Sequence, residues 1–189
     1  MATVNKAPAK PNKITAKKGD VILQLIADHE KVKKLFKQYE KLAKKGNIAG
    51  KALIANQICA ELTVHATAEE EIFYTKALSA THDDDLINEA NVEHDSAKSL
   101  IAQIQALDPS EPMYDAKVTV LGEYIDHHVE EEETEMFPEV RKAKVDLAAL
   151  DEKLTARKKV LFAQLTDKNG VIDQAALKAM ANKVAAHSH

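Results

Sequence analysis

Tryptophan is missing from this chain of 189 residues, aromatic residues make up only 4% of it, and just five glycines occur. So few turn formers leave little room for a sheet protein built of hairpins. A single cysteine, Cys59, excludes an internal disulfide, and its apolar flanks suggest a small core residue rather than a redox sensor. No apolar run reaches the roughly 18 residues that a membrane span needs, so no membrane is expected as a partner. Basic and acidic residues are interspersed, 26 against 30, for a net charge of −4. That distribution offers no broad basic face, and nucleic acid is not an expected partner either. The stretch from Met1 to Lys18 lacks the apolar centre of a secretory signal. The expected location is cytoplasmic, with residues 1–19 as a disordered basic tail.

What is present is helix-forming: Ala, Leu, Lys and Glu dominate, with 45% hydrophobic and 30% charged residues. Histidine recurs in a pattern: His29, then His65 with Glu69, then His94, then His128 with Glu132. The step from His29 to His65 is 36 residues and from His94 to His128 is 34. Lys33, Leu35 and Leu42 follow His29 as Lys98, Leu100 and Leu107 follow His94. His65, Glu69, Glu70, Phe73 and Tyr74 answer to His128, Glu132, Glu133, Met136 and Phe137. The chain therefore carries a duplicated two-element unit, too long and too few in number for a solenoid.

Apolar spacing predicts helices over about 20–45, 51–78 and 84–107, and a fourth from Pro112 that Pro138 should kink or end. Gly46 and Gly50 would bracket the first turn. Further helices are expected over about 146–165 and 171–186. The fold class is all-α: an up-down-up-down antiparallel four-helix bundle over 20–142, with one or two additional helices in 143–189. Heights along the bundle agree with this. His29 stands 16 residues before the end of its helix and His65 stands 14 after the start of the next. At about 1.5 Å per residue, an antiparallel hairpin brings the two level. The same count places His94 and His128 within about one turn of that layer.

Residues four apart share a helical face, so His65 with Glu69 and His128 with Glu132 can each aim a nitrogen and a carboxylate at one interior point. Such a mixture of ligands in a bundle favours iron over zinc. Two six-coordinate ions need about twelve positions, and this set with a bridging oxo or hydroxo group fills about ten. The open positions suit dioxygen, peroxide, nitric oxide or water.

The order His, His-x3-Glu-Glu, His, His-x3-Glu-Glu, ending in Met136-Phe137-Pro138, resembles the hemerythrin-like, or HHE cation-binding, domain over about residues 20–140. The resemblance implies a non-haem centre of two iron ions held by His29, His65, Glu69, His94, His128 and Glu132. It implies oxygen binding or sensing, iron handling, or a response to peroxide and nitric oxide. Oxygen carriers of this family have a fifth histidine where Lys98 stands here, and an aspartate where Glu133 stands. The expected role is thus a sensor or stress-response protein for a small oxidant. An iron-binding or iron-sensing module without turnover, and a peroxide-degrading enzyme, stay open beside it. Ferritin-like bundles pair Glu-x-x-His instead.

Glu61 and Tyr124 each precede a ligand histidine by four residues and are candidates to complete the shell, Tyr124 also as a proton or electron donor. His127 competes with His128, but the repeat favours His128. Glu70 and Glu133 point either to solvent or to a hydrogen bond behind the ligands. His187 and His189 could bind stray metal weakly. The stretch Asp167-Lys168-Asn169-Gly170 lacks the first and last carboxylates of a calcium loop and is expected to be a turn.

Overall fold

The computed structural model describes residues 19–186. Nearly all of the expected N-terminal tail, and His187 and His189, lie outside the described residues. Among the described residues the regular elements are helical, and extended backbone pairs only in an isolated bridge between Thr166 and Ile172. The chain is all-α.

Helix α1 (Val21–Lys44) starts where Asp20 accepts hydrogen bonds from the amides of Ile22 and Leu23 at 3.1 and 3.3 Å. These are the orphan donors of a first turn. Its buried residues, among them Ile22, Leu25, His29, Val32, Leu35 and Tyr39, recur at steps of three and four. Helix α2 (Ile48–Glu69) begins earlier than its apolar stripe suggests, because the Asn47 side chain accepts from the Gly50 amide at 2.9 Å. Gly50 therefore belongs to the first turn of the helix and not to the loop.

The second predicted helix does not run on as α-helix. A π-helical segment, Glu70–Tyr74, separates α2 from α3 (Thr75–Thr81). The duplication repeats the feature: α5 (Pro112–Glu131) passes through a second π segment, Glu132–Met136, into α6 (Phe137–Lys142). Pro138 neither ends the rod nor breaks it outright. It stands in the first turn of α6, where a missing amide hydrogen is tolerated. Helix α4 (Asp84–Ala106) is capped by Asp83, and α7 (Leu147–Leu165) by Asp146. Helix α8 is Gln174–Ala186.

The long helices α1, α2, α4 and α5 contact one another in a closed ring, α1 with α2, α2 with α4, α4 with α5 and α5 with α1. Helix α7 lies against α1 and α2, and α8 lies against α4 and α2. The core of Leu25, Ile58, Phe73, Ile101, Leu121 and Met136 fills the ring, and α7 and α8 extend it through Leu154, Leu165 and Leu177.

Candidate metal centre

Helix α1 brings His29 into the ring, α2 brings His65 and Glu69, α4 brings His94, and α5 brings His128. Glu132 opens the second π segment. All six residues named from the sequence are gathered in one interior layer, none more than 7% exposed. Their rings form two pairs: His29 and His65 with centroids 5.1 Å apart, His94 and His128 with centroids 4.6 Å apart. Each carboxylate reaches one imidazole of each pair. Glu69 lies 2.9 Å from His65 Nε2 and 3.8 Å from His94 Nε2, and Glu132 lies 3.3 Å from His29 Nε2 and 3.5 Å from His128 Nε2. Three overlapping groups have ligand atoms within 4.8 Å of one another: His29, His65 and Glu132; His65, Glu69 and His94; Glu69, His128 and Glu132.

Behind each imidazole stands a second carboxylate. His29 Nδ1 lies 2.9 Å from Glu133, His65 Nδ1 lies 3.3 Å from Asp28, and His94 and His128 Nδ1 each lie 2.8 Å from Glu70 and Glu93 respectively. These four are the immediate chain neighbours of the candidate ligands: Asp28 and Glu93 precede the lone histidines, and Glu70 and Glu133 follow the inner glutamates. A carboxylate at Nδ1 favours the ring proton there and leaves Nε2, which faces the centre, as the nitrogen that can bind a cation. Asp28 is itself ion-paired by Lys158 of α7. Lys98 is buried and pairs with Glu70 at 2.7 Å and with Asp95 at 3.1 Å.

The π segments account for part of this geometry. Bonding from i to i+5 brings residues five apart onto one face, so Tyr74 falls beneath Glu69 and Phe137 beneath Glu132. Phe137 stacks on His29 with centroids 5.9 Å apart, and Tyr74 stacks on His94 at 5.3 Å. The Tyr74 hydroxyl donates to Glu132 at 2.8 Å.

Electrostatically the carboxylates of the layer favour positive charge between them. Burial opposes protonation of His65, but Glu69 and Asp28 outweigh it and push the imidazole up to about 10. His128 is likewise raised, burial notwithstanding, by Glu132 and Glu93. His94 goes the other way, lowered by burial and by the neighbouring His128 against the pull of Glu70. Burial alone would raise Glu132, yet His128 and His29 hold it well below the usual carboxylate range. Tyr74 is driven far upward by burial, Glu132 and Glu69.

The donor set fits a cation. His29 Nε2, both oxygens of Glu69 and Glu132 Oε2 are buried without a hydrogen-bond partner. Each such atom costs on the order of 1–3 kcal/mol unless something positive satisfies it. An internal cavity of about 20 Å³ adjoins the imidazoles, lined otherwise by residues such as Val32, Leu62, Ile101, Ile125 and Val129. It has room for one molecule of about water size.

Three further residues named from the sequence stand elsewhere. Tyr124 is 49% exposed, because its helix turns that face to solvent, so it does not complete the shell. Glu61 pairs with Lys31. His127, at 63% exposed, lies 3.4 Å from Glu131 and 3.7 Å from Glu93, outside the layer. Tyr74 was not singled out by the four-residue spacing. The signal for it was its match to Phe137 in the repeat.

A profile of the hemerythrin HHE cation binding domain matches residues 20–140. A DNA nickase of Nostoc sp. is 33% identical over 114 residues, 60% of this chain and 31% of that protein. The chain thus spans less than a third of that relative's length. The crystal structure of a hemerythrin HHE cation binding domain-containing protein from Mycobacterium kansasii matches at a TM-score of 0.66 and 23% identity, over 85% of this chain and 98% of the other. At that identity the likeness speaks for the fold.

Proposed function

We propose that this chain, which belongs to the hemerythrin HHE cation binding domain family, holds two iron ions in an up-down-up-down four-helix bundle and binds or processes a small oxidant there. Dioxygen, peroxide and nitric oxide are the candidate ligands, and the role is that of a cytoplasmic sensor or stress-response protein. Residues 20–142 form the bundle in this reading and 143–189 its helical extension. The observation that carries it is the buried layer of inward imidazole and carboxylate lone pairs, four of whose atoms have no hydrogen-bond partner, beside a cavity with an apolar wall.

His29 and His65 would hold one ion and His94 and His128 the other, with Glu69 and Glu132 spanning both. Iron held there supplies redox equivalents and open positions for a diatomic ligand. The chain's own residues do the rest. Asp28, Glu70, Glu93 and Glu133 fix the tautomer and the aim of the four imidazoles. Val32, Leu62, Ile101 and Ile125 exclude bulk water from the adjoining cavity. Lys98 neutralises Glu70 and gives no donor to the centre. That favours sensing or turnover over reversible carriage.

Nicking of DNA is outside this reading. The net charge is −4, and the chain covers only 31% of the nickase. The test is anaerobic loading with ferrous iron followed by air. Two irons per chain and rapid irreversible oxidation support sensing or catalysis, a reversible adduct marks a carrier, and binding without any reaction towards oxidants leaves an iron-sensing module. Steady oxygen release from added peroxide marks the peroxide-degrading enzyme.

A further inference from the structure

We propose that the C-terminal helices α7 and α8 build the route by which a small oxidant reaches the centre, and that Lys98 sets which molecules pass. The proposal rests on the di-iron reading above. Two spaces in the molecule carry it. The cavity beside the imidazoles is small, about 20 Å³. A second pocket of about 320 Å³ lies between the ring of long helices and the C-terminal pair, lined by Thr67, Glu70 and Glu71 on one side and by Arg157 of α7 and Met180 of α8 on the other. Lys98 borders both.

The wall that they share is unlike the rest of the cavity. Elsewhere the lining is tightly packed and apolar, with Val32, Leu62, Ile101, Ile125 and Val129 around the imidazoles. Where α2 meets α4 the cavity is lined instead by the short side chains of Ala66 and Ala97, and Lys98 spans what they leave open. Lys98 is 8% exposed, with its ammonium 2.7 and 2.9 Å from the two oxygens of Glu70 and 3.1 Å from Asp95. Both carboxylates are partly exposed, so these ties are weak, and a flexible four-carbon stem can swing aside and return by ordinary side-chain rotation. In its closed position it leaves passage only to molecules of about the size that the cavity holds. Arg157 pairs with Glu71 at 2.6 Å and fastens α7 to the rim of the outer pocket. The C-terminal helices thus shelter a surface over Lys98 that the ring of long helices alone would leave open.

The experiment loads ferrous iron anaerobically into wild type, Lys98→Ala, Lys98→Met and Met180→Trp and follows oxidation by hydrogen peroxide and by tert-butyl hydroperoxide in stopped flow. Each hydroperoxide takes two electrons from the ferrous pair and two protons from solvent as its O–O bond breaks, leaving water, or water and tert-butanol. Wild type should prefer the smaller oxidant. Lys98→Ala removes the stem and should narrow that preference at least about tenfold by admitting the bulky one, whereas Lys98→Met keeps the length, loses only the charge and should retain most of it. Met180→Trp fills the outer pocket and should slow both oxidants with the iron content unchanged. Stripping of ferrous iron by bipyridine is a second readout that needs no oxidant, and it should be faster in Lys98→Ala and slower in Met180→Trp. A preference equal in wild type and Lys98→Ala, one lost as fully in Lys98→Met, or rates that Met180→Trp leaves unchanged, overturns the route and leaves the di-iron centre standing. Wild type that takes up no iron overturns both.

Discussion

The two halves of the centre are copies, and they agree in what touches the interior more than in what stands behind it. Each half has a lone histidine, a histidine four residues before a glutamate, a π turn and a carboxylate at every Nδ1. Behind them the copies part. Asp28 is held by Lys158 of α7, whereas its counterpart Glu93 meets, besides His128, the exposed His127 at 3.7 Å. Glu70 is neutralised by Lys98 on one side, and Tyr74 on that side answers to Phe137 on the other. Aiming four imidazoles inward tolerates little variation, because each ring needs its proton on the outer nitrogen. The carboxylates that do the aiming can be neutralised in several ways.

The largest effect should come from the two carboxylates that both halves share. Glu69→Ala and Glu132→Ala should each reduce iron from two per chain to below one, measured by metal analysis after anaerobic loading. In the metal-free protein the same changes should lower the melting temperature, because each breaks a buried imidazole–carboxylate pair by removing one partner. Retention of two irons in either variant would show that the halves bind independently.

A smaller effect should separate the copies. Asp28→Asn and Glu93→Gln each weaken the aim of one imidazole, His65 or His128, and should lower iron affinity about 10–100-fold. Lys158→Met should weaken it less, since Asp28 keeps its bond to His65 while losing its tie to α7. Competition with a chelator measures all three, and equal losses for Asp28→Asn and Lys158→Met would deny that the carboxylate does the aiming.

The smallest effect lies outside the centre, where Asp115 of α5 meets Lys51 of α2 and Tyr39 of α1 and so joins the copies. Burial would raise its carboxyl, but Lys51 and Tyr39 hold it below the usual range. Its contribution is therefore full above a carboxylate's ordinary pKa of about 4 and is lost as pH falls through the lowered value. Asp115→Asn should flatten that part of the acid-unfolding curve without changing the number of irons bound.

The six inner residues were legible because the repeat and the helix lengths bring them to one height. The spacing leaves Glu70 and Glu133 between solvent and the centre and singles out Tyr124 but not Tyr74, for one physical reason. Four-residue spacing assumes unbroken α-helix. The π turns add a residue at Glu70–Tyr74 and Glu132–Met136 and turn the fifth residue inward. Lys158 was not legible at all, because its partner Asp28 is fixed by how α7 lies on α1 and not by any local pattern.

Metal analysis of freshly purified protein, followed by anaerobic titration with ferrous iron, bears most directly on whether the inner layer holds a pair of ions. Two equivalents of tightly bound iron in wild type, with both lost in Glu69→Ala, is the predicted result. Failure to take up two equivalents, or uptake that survives that substitution unchanged, would contradict it.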